Sequence, residues 1–397
     1  MTGCVNGYTR LRQSVGIITP SPLNRATFRK GRSLMDYHAR LNKLKQITGA
    51  DAIALVPGAN QKYFTGFDFH TSERPTIALW VDGELSFIIP KLEVPQLNAR
   101  NDLEPQIFSW SDEEGYEGAF RQAVEALDLQ GKTIGVDDRT MRLFEWAGFQ
   151  QADADIKSLP VGVDLLLIRS QKDSEEVAAM RQAISISEQA LNNILPRIQA
   201  GLTEREIASM LDNELLALGT QGFAFRALVQ TGPNSALPHG STTDRQLQQG
   251  EFLLIDYGGM YQQYPADITR TFCVGEPSAE MQKIYDTVLA ANQAAIRAAG
   301  PGVTCDAVDK AARDVITAAG YGEYFIHRTG HGLGLEVHEL PQMAGGVEQP
   351  LLPGMVFTVE PGIYIPGMGG VRIEDNVLIT EDGVEVLTSF PYQLRIE

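Results

Sequence analysis

Short apolar runs alternate with amphipathic segments over the first part of the chain, from Met35 to about residue 168. The runs have the length of β-strands, and the segments between them repeat apolar residues at helical spacing. The strand-like runs are Ala52–Val56, Thr76–Val81, Leu85–Ile89 and Thr133–Val136, and the helix-like segments include Asp36–Gln46 and Tyr116–Leu127. This alternation predicts an α/β domain at residues 35–168.

A polar stretch, Arg169–Ser174, separates this region from a long helical pattern at Glu175–Leu195. Apolar residues in that pattern form most of a stripe, which is typical of a helix that packs one face against a core. Pro196 follows, and because proline disfavours helical conformation in the residue before it, we expect the helix to end or kink there. We therefore place a second domain at residues 169–397.

The second domain contains an internal repeat. Gly-Leu-Thr at residues 201–203 and Gly-Val-Thr at residues 302–304 each begin a segment with apolar residues at helical spacing. Each segment ends at a glycine, Gly219 in the first copy and Gly320 in the second, so that equivalent positions are 101 residues apart. We interpret the repeat as a duplicated half-domain, and a chance match of a short pattern is the alternative.

Each half then carries two strand-like segments with an acidic residue in each. In the first half, Leu253–Tyr257 contains Asp256 and leads through a turn to Asp267–Phe272. In the second half, Val356–Glu360 leads through a glycine-rich turn to Val371–Glu374. Adjacent antiparallel strands bring residues on one face close together, so we expect two hairpins, each with a pair of neighbouring acids.

The composition limits the classes of partner. The 397 residues carry a formal net charge of −17, which argues against a phosphate-backbone partner, so we expect no nucleic acid. No apolar run approaches the ~20 residues that a membrane span needs, and we expect no membrane partner. The three cysteines include no Cys-x-x-Cys pair, which fits reduced thiols and a cytoplasmic protein.

Residues 1–34 differ from the rest of the chain. They contain six basic residues and no acidic one, and Met35 follows them. An acid-free, basic leader is compatible with a targeting segment, but no amphipathic helix is evident in it. We therefore favour a disordered leader or a misplaced start over targeting.

Five side chains of the metal-binding type occur in a fixed order in the second domain. They are Asp256, Asp267, His331, Glu360 and Glu374. For each acid alone a structural role is the simpler interpretation, but four carboxylates in one closed site repel one another unless they hold cations. Oxygen-rich ligation with one imidazole indicates two divalent ions, Mn or Co, with Zn possible. Such a pair activates a bridging water as a hydroxide nucleophile, and no Gly-x-Ser-x-Gly motif competes with this chemistry.

Further residues are candidates for catalytic roles. His239 and His338 follow the two repeat copies, and they are our candidates for polarising a scissile carbonyl and stabilising its oxyanion. Arg372 lies two residues before Glu374, on the same face of the predicted strand, and we expect it to orient that carboxylate rather than to bind substrate. Glu360 combines metal ligation with a position from which it can transfer a proton.

Several of these segments resemble the signature segments of the pita-bread metallopeptidases, in the branch of prolidase (Xaa-Pro dipeptidase) and aminopeptidase P. The segments are Leu254–Gly258, Asp267–Thr271, Gly330–Gly334, Val359–Tyr364 and Val371–Asp375, and the resemblance covers nearly all of residues 35–397. It implies an α/β (α+β) fold, with a small N-terminal creatinase-like domain and a C-terminal pseudo-twofold pita-bread catalytic domain. It also implies a homodimer, two Mn or Co ions on the five ligands, His239 and His338 in contact with substrate, and Glu360 as proton carrier.

The resemblance leaves the substrate open between two kinds of peptide. Cleavage of Xaa-Pro dipeptides is our first interpretation, and an aminopeptidase P or another proline-directed exopeptidase acting on longer peptides is the alternative. A non-catalytic peptide-binding module on the same fold is disfavoured, because all five ligand types are present. Many prolidases have an arginine for the dipeptide carboxylate just after a His-Glu-x-Pro segment, whereas this chain has Gln342. An amide cannot replace the guanidinium fork, so another basic residue is needed or the end of the substrate is handled differently.

One segment of the first domain, Asn60–Pro75, is rich in aromatic residues. Two interpretations remain open for it. It is either a loop that caps the cleft of a neighbouring copy or a turn that packs within its own domain.

Overall fold

The computed structural model describes residues 35–396, and the prediction made for residues 1–34 lies outside the described residues. The first part of the described chain is built around one six-stranded sheet with the strand order β4-β3-β2-β1-β5-β6. Its strands are β1 (Ala52–Leu55), β2 (Ile77–Val81), β3 (Glu84–Pro90), β4 (Gln106–Trp110), β5 (Thr133–Val136) and β6 (Lys157–Pro160). Its helices are α1 (Tyr37–Lys43), α2 (Ala59–Thr65), α3 (Val94–Asn98), α4 (Glu117–Ala126), α5 (Leu143–Ala152) and α6 (Gly162–Ser170).

Both faces of this sheet are covered by helices. Residues on both sides of each strand are therefore buried, which explains why the strands are continuous apolar runs in the sequence. Successive residues of a strand point to opposite faces. Ala54 accordingly packs in a cluster with residues of α4 and α5. Ile53 and Leu55 pack on the other side, in a cluster with residues of α1, α2 and α6. The sheet is mixed, because β2 pairs antiparallel with β1 and β3 while the remaining neighbours are parallel.

The aromatic segment Asn60–Pro75 packs within its own domain. Phe67 and Phe69 are buried and stack on each other, with ring centroids 5.8 Å apart. Both rings meet Phe87 of β3 edge-on, at 5.6 and 5.9 Å. Arg74 pairs with Asp112 of the same domain. These contacts favour the second of the two interpretations of this segment.

A short link joins the first part to the long helix α7 (Ser174–Ile194). Asp173 caps this helix by accepting hydrogen bonds from the backbone N–H groups of Glu175 and Glu176, and the Glu176 side chain accepts from the N–H of Asp173 in return. This reciprocal arrangement is a capping box, which fixes where the helix begins. The helix ends at Ile194, as expected from Pro196, and a 3-10 turn follows at Leu195–Arg197.

The rest of the chain forms two halves on a common plan, in which a pair of helices precedes a largely antiparallel sheet. The first half comprises α7, α8 (Glu204–Ala217), β7 (Leu228–Thr231), β8 (Phe252–Tyr257), β9 (Met260–Tyr261), β10 (Tyr264–Pro265) and β11 (Ile268–Val274). The second half comprises α9 (Ala279–Ala298), α10 (Cys305–Ala318), β12 (Gly330–Gly332), β13 (Glu339–Met343), β14 (Val356–Val359), β15 (Gly362–Ile365), β16 (Gly369–Arg372), β17 (Asp375–Ile379) and β18 (Val384–Val386). The last strand, β19 (Arg395–Ile396), returns to the sheet of the first half, in the order β19-β11-β8-β7.

The two copies of the sequence repeat adopt the same local structure. Thr203 and Thr304 are the N-caps of α8 and α10, and each side chain accepts from the backbone N–H three residues later. Gly219 and Gly320 follow the two helices with φ of 87° and 89°, a conformation that glycine adopts without strain. The backbone also pairs equivalently before each helix, since Gly201 donates to Leu247 while Gly302 donates to Leu351. These shared details support a duplicated half-domain.

The strand pairs that carry the acids differ in one respect from the prediction. The first hairpin is as expected, with β8 antiparallel to β11. In the second half, β14 does not pair with residues 371–374; it pairs with β17, while β15 and β16 form a separate two-stranded ribbon between them. Pro361, two residues beyond the end of β14, is consistent with this difference, because it has no N–H with which to continue the ladder.

Two further sequence expectations concern the described residues. No helix within residues 35–396 is long and apolar enough to cross a membrane. Cys273 and Cys305 are both buried and carry free thiols.

Candidate metal centre

The two acids of the first half lie on one face of the β8–β11 hairpin. Asp256 stands opposite Thr269 in the antiparallel register. Asp267 precedes Thr269 by two residues, so it occupies the same face, diagonal to Asp256. The backbone of Asp267 is held by the side-chain amide of Asn376, which accepts from its N–H at 3.3 Å and donates to its carbonyl. The pairing predicted for these acids is therefore present in the first hairpin.

The two acids of the second half lie just beyond the paired ends of β14 and β17. Val359 is opposite Asp375. Glu360 and Glu374 are the next residues outward on each strand, so the same register places them opposite each other. The backbone N–H of Glu360 donates to the carbonyl of Thr329, and that of Glu374 donates to the carbonyl of Thr269. The second bond ties the acids of the second half to the hairpin of the first.

His331 is fixed on the short strand β12, between β13 and β14. Its backbone N–H donates to the hydroxyl of Thr358 at 3.1 Å. The flanking glycines are required by close packing: a methyl group on Gly330 would overlap the carbonyl of Thr358, and one on Gly332 would overlap the carbonyl of Leu340. Glycine permits this approach of one backbone to another, and it thereby brings the imidazole next to the acids.

All five predicted ligands line one cavity of about 1020 Å³. Asp267, His331 and Glu374 each offer a donor atom within 4.8 Å of the other two. His331 Nε2 also lies 3.6 Å from Asp267 Oδ2 and 3.4 Å from Glu360 Oε1. Residues from both halves therefore converge on a single cluster.

Burial and mutual repulsion shift the protonation of this cluster. Asp267 and Glu374 are only 4% and 2% exposed, and burial together with the neighbouring carboxylates raises the pKa of both well above the ordinary range. Burial raises the pKa of Glu360 to about 7, and the charge of Asp256 adds to this effect. Burial lowers the pKa of the His331 imidazole to about 3, which keeps it neutral. Without cations, these carboxyl groups retain protons that a metal ion would displace.

The donor set fits a pair of divalent cations. Four carboxylates and a neutral imidazole supply oxygen and nitrogen ligands of the kind that Mn, Co and Zn accept. Oδ1 of Asp256 is buried and has no hydrogen-bond partner among residues 35–396. A buried carboxylate oxygen without a partner is costly, and a cation in the cluster would satisfy it.

Arg372 contacts a different acid from the one expected. Its guanidinium donates to Oδ2 of Asp256, to the hydroxyl of Thr269 at 3.0 Å and to the hydroxyl of Tyr364 at 3.0 Å. It reaches Glu374 only through Thr269, whose hydroxyl donates to Glu374 Oε2 at 2.6 Å. The prediction that Arg372 orients Glu374 directly was wrong. The strand β16 ends at Arg372, so the alternation of faces along a strand does not extend to Glu374.

Three hydroxyl-bearing residues of the site were missed from the sequence. Thr269 binds Glu374, Thr358 binds the backbone of His331, and Tyr364 joins Arg372 to His327 at 2.8 Å. Thr269 lies two residues after Asp267, and Thr358 lies two residues before Glu360. This spacing is a usable signal, because it is the period that keeps strand residues on one face.

The histidines singled out from the sequence all line the cavity. The ring of His338 packs edge-on against that of His331, with centroids 4.2 Å apart. Burial, followed by the positive charge of Arg328, lowers the pKa of His338. His239 lines the same cavity from the loop after β7. Their positions are compatible with contact to a bound substrate.

The loop that carries His338 is anchored by a buried charged network. The Glu339 carboxylate pairs with Arg169 of α6 and with Lys172 at 3.2 Å, and it accepts from the N–H of Glu336 at 3.0 Å. The two cationic groups hold the pKa of Glu339 below its ordinary value even though burial opposes this. Arg169 also donates to Asn60 of α2 at 2.7 Å. The first domain is thereby tied to the segment beside His338.

Two further arginines line the cavity, Arg226 and Arg328, and neither was singled out from the sequence as a site residue. Arg226 is exposed, whereas Arg328 is partly buried. Gln342 is exposed on β13 and is not among the residues that line the cavity.

Two family models match the chain. Residues 178–381 match the model described as metallopeptidase family M24, and residues 38–170 match the creatinase/prolidase N-terminal domain. A Staphylococcus aureus protein described as an uncharacterized peptidase is 36% identical over 345 residues, which cover 86% of this chain and 95% of that protein.

Solved structures are similar over nearly the whole chain. A prolidase from Thermococcus sibiricus has a TM-score of 0.84 at 33% identity, covering 91% of this chain and 100% of that chain. An X-Pro aminopeptidase from Thermotoga maritima has a TM-score of 0.80 at 34% identity, covering 89% of this chain and 100% of that chain.

Proposed function

Because this chain belongs to metallopeptidase family M24 and carries a creatinase/prolidase N-terminal domain, we propose that it is a dinuclear Xaa-Pro dipeptidase, a prolidase. The membership confirms the resemblance and the predicted fold class, an α/β (α+β) chain with a small N-terminal domain and a pita-bread catalytic domain. It also establishes that the substrate is a peptide and that divalent metal ions take part. The proposal concerns the Xaa-Pro dipeptide, the pair of Mn or Co ions and the roles of individual residues.

One observation carries the proposal. Two acids from each half, together with His331, line a single cavity, and one buried oxygen of Asp256 has no partner among the described residues. Four carboxyl groups and an imidazole are costly to bury together, and bound cations would offset that cost. We assign Asp256, Asp267, His331, Glu360 and Glu374 as the residues that hold the two cations. When bound, such a pair supplies Lewis acidity toward a peptide carbonyl and lowers the pKa of water.

The remaining residues act on the peptide. Glu360 is partly open to the cavity, and we assign it to accept a proton from the attacking water and deliver it to the leaving nitrogen. His239 and His338 are assigned as hydrogen-bond donors to the carbonyl oxygen, on which negative charge develops. Arg372 holds Asp256 in position. The water oxygen bonds to the carbonyl carbon, the bond to the proline nitrogen breaks, and the proton completes that amine.

A proline-directed aminopeptidase is the second candidate. The similarity to the X-Pro aminopeptidase from Thermotoga maritima favours it. The same metal site and the same proton transfer would serve both activities, and the two differ in whether the chain of the substrate continues beyond proline. A non-catalytic peptide-binding role is not supported, because every metal-ligand position retains a suitable side chain.

The test is a hydrolysis panel on metal-depleted protein to which Mn, Co or Zn is returned separately. We expect no turnover without metal, the highest rate with Mn or Co, and faster cleavage of Ala-Pro than of Ala-Pro-Ala. Faster cleavage of the tripeptide would assign the chain to the second candidate. Full activity after exhaustive chelation would refute the metal mechanism.

We also propose a cytoplasmic homodimer. The free buried thiols of Cys273 and Cys305 support a reducing compartment, and the dimer rests on the family resemblance. Light scattering coupled to size-exclusion chromatography measures the assembly directly, and a mass of one chain would refute the dimer.

A further inference from the structure

Arg328 differs from Arg372, which lines the same cavity, in having no hydrogen-bond or ion-pair partner among residues 35–396. Each of the three guanidinium nitrogens of Arg372 donates a hydrogen bond, to Thr269, Tyr364 and Asp256 respectively. Arg328 also lines the cavity and is partly buried, yet no group among residues 35–396 accepts a hydrogen bond or forms an ion pair with its guanidinium. A partly buried guanidinium with all its donors free is placed to receive an anion.

Arg328 lines the same cavity as the assigned proton carrier and the substrate-contacting histidines, Glu360, His239 and His338. The backbone N–H of Glu360 donates to the carbonyl of Thr329 at 2.8 Å, and Thr329 directly follows Arg328 in the chain. The segment that carries Arg328 is therefore bonded to the segment that carries Glu360.

The backbone on both sides of Arg328 is held firmly. Arg313 donates to the carbonyl of His327 at 2.9 Å, and the Thr329 hydroxyl donates to Asp309 at 2.8 Å. The carbonyl of Arg328 itself is 2.7 Å from His327 Nδ1. A side chain presented from an anchored segment loses less conformational entropy when it binds a ligand.

We propose that Arg328 binds the C-terminal carboxylate of the dipeptide substrate and thereby determines specificity for a free chain end. This inference deepens the proposed function and rests on it. In an Xaa-Pro dipeptide, a single carbon atom separates the scissile nitrogen from the carboxylate carbon. The group that recognises the carboxylate must therefore lie close to the group that protonates the nitrogen, which we assign as Glu360.

The free charge of Arg328 favours the C-terminal carboxylate of the substrate over its amino terminus. The cationic amino terminus of a peptide is repelled by a free guanidinium, whereas the terminal carboxylate finds in it a planar pair of hydrogen-bond donors of opposite charge. Arg372 already donates to Asp256, Thr269 and Tyr364, so it is less suited than Arg328 to bind the carboxylate. Arg226 lines the cavity too, but it is exposed and its charge acts on Asp212.

The experiment compares Ala-Pro with its C-terminal amide, Ala-Pro-NH2, on metal-loaded enzyme. The amide keeps the scissile bond and removes only the terminal charge. We expect wild-type kcat/KM to favour the free acid, and Arg328→Gln to reduce that preference roughly 10- to 100-fold, mainly through the KM of the acid. Arg328→Lys keeps the charge without the planar fork, so we expect it to recover part of the preference.

Arg226→Gln is the matched control, since it removes a guanidinium from the same cavity. We expect it to leave the ratio of acid to amide within about twofold of wild type. Isothermal titration of the metal-loaded protein with L-proline and L-prolinamide gives a readout that is independent of turnover. Arg328→Gln is expected to weaken the binding of proline and not that of prolinamide.

The outcomes separate the two proposals. If wild type cleaves neither compound, the proposed function fails. If wild type prefers the acid and Arg328→Gln slows both compounds equally, or if Arg226→Gln removes the preference instead, the assignment to Arg328 is overturned while the function stands. An unchanged melting temperature of Arg328→Gln excludes misfolding as the cause of any effect.

Discussion

The guanidinium of Arg372 donates a hydrogen bond to Oδ2 of Asp256. The other carboxylate oxygen, Oδ1, is buried and has no hydrogen-bond partner within the described residues. Arg372 thus fixes the direction of the carboxylate without neutralising its second acceptor. That free oxygen points to an ion as the intended partner.

Replacing Arg372 with glutamine should weaken metal binding, because Asp256 would lose the group that orients it. We expect the Mn affinity to fall by about 10- to 100-fold. Titration calorimetry on metal-free protein measures the change. Arg181→Gln, which breaks an exposed pair with Glu385, is the control and should leave the affinity unaltered. Equal affinities for Arg372→Gln and wild type would remove Arg372 from this role.

Gly330→Ala should displace His331, because the added methyl group would overlap the carbonyl of Thr358. Overpacking of this kind costs about 1–3 kcal/mol of unfolding free energy, and the shift of β12 should also lower metal occupancy. Urea unfolding and elemental analysis measure the two effects. Gly383→Ala is a suitable control, since a Cβ there meets nothing within 4 Å. Normal metal content in Gly330→Ala would show that β12 adjusts without cost to the site.

His239→Ala should reduce kcat by at least about 10²-fold and leave the metal content intact, because we assign this side chain to the substrate oxyanion. His70→Ala, at an exposed histidine of the first domain, is the control. Steady-state kinetics together with elemental analysis distinguish the possibilities. A loss of bound metal in step with activity would place His239 among the ligands instead.

Glu339→Gln should destabilise the fold by about 3–5 kcal/mol, because it leaves buried Lys172 without a counter-charge and leaves buried Arg169 with only its more exposed partner Glu336. Chemical unfolding measures the loss. Glu385→Gln, at an exposed ion pair, should cost no more than about 1 kcal/mol. If the two substitutions cost the same, the network beside His338 contributes little to stability.

Metal-free protein should lose stability as the pH rises above neutrality. The folded-state pKa of Glu360 is raised from 4.5 to about 7, and those of Asp267 and Glu374 are raised well above their ordinary range, in each case first by burial. A raised carboxyl pKa contributes stability that is complete below the unfolded value and is lost as the pH rises through the folded value. The lowered pKa values of His327, His331 and His338, caused first by burial, act in the opposite sense, but only below the ordinary histidine value of 6.5.

The decline is therefore clearest above pH 6.5, where the histidines no longer oppose the carboxyl groups, and pH 6.5 to about 8 is a suitable range for the measurement. Thermal unfolding of metal-free protein should show a melting temperature that falls by several degrees over this range. Saturation with Mn should flatten the curve, and Glu374→Gln should reduce the slope without metal because an amide does not ionise. A flat curve for metal-free wild type would contradict the shifted pKa values.

Local patterns allowed much of the fold to be predicted. Apolar runs located β1, β2, β3 and β5 to within one or two residues, and Asp173, Thr203 and Thr304 mark where three helices begin. These features depend on neighbours close in sequence, so the sequence reports them directly. The ligand types and their order indicated a metal centre for the same reason: the four acids lie within or directly beside apolar strand patterns, and His331 lies between two glycines.

Contacts between distant segments could not be predicted in this way. The Arg169–Glu339 pair joins residues 170 positions apart, and nothing near either residue identifies its partner. The choice of Asp256 over Glu374 by Arg372 depends on where β16 ends, and strand ends are the least certain part of a pattern. The separate β15–β16 ribbon is consistent with Pro361, which lies between β14 and β15 and cannot donate to a continued ladder.

The metal-type cluster draws two acids from each half of a duplicated architecture, and its imidazole comes only from the second. A nascent chain that has emerged as far as α9 therefore presents only Asp256 and Asp267, too few donors to retain a cation tightly. The full set of donors is present only once Glu374 has been added, so a chain that stops short of that residue should not hold a pair of ions tightly.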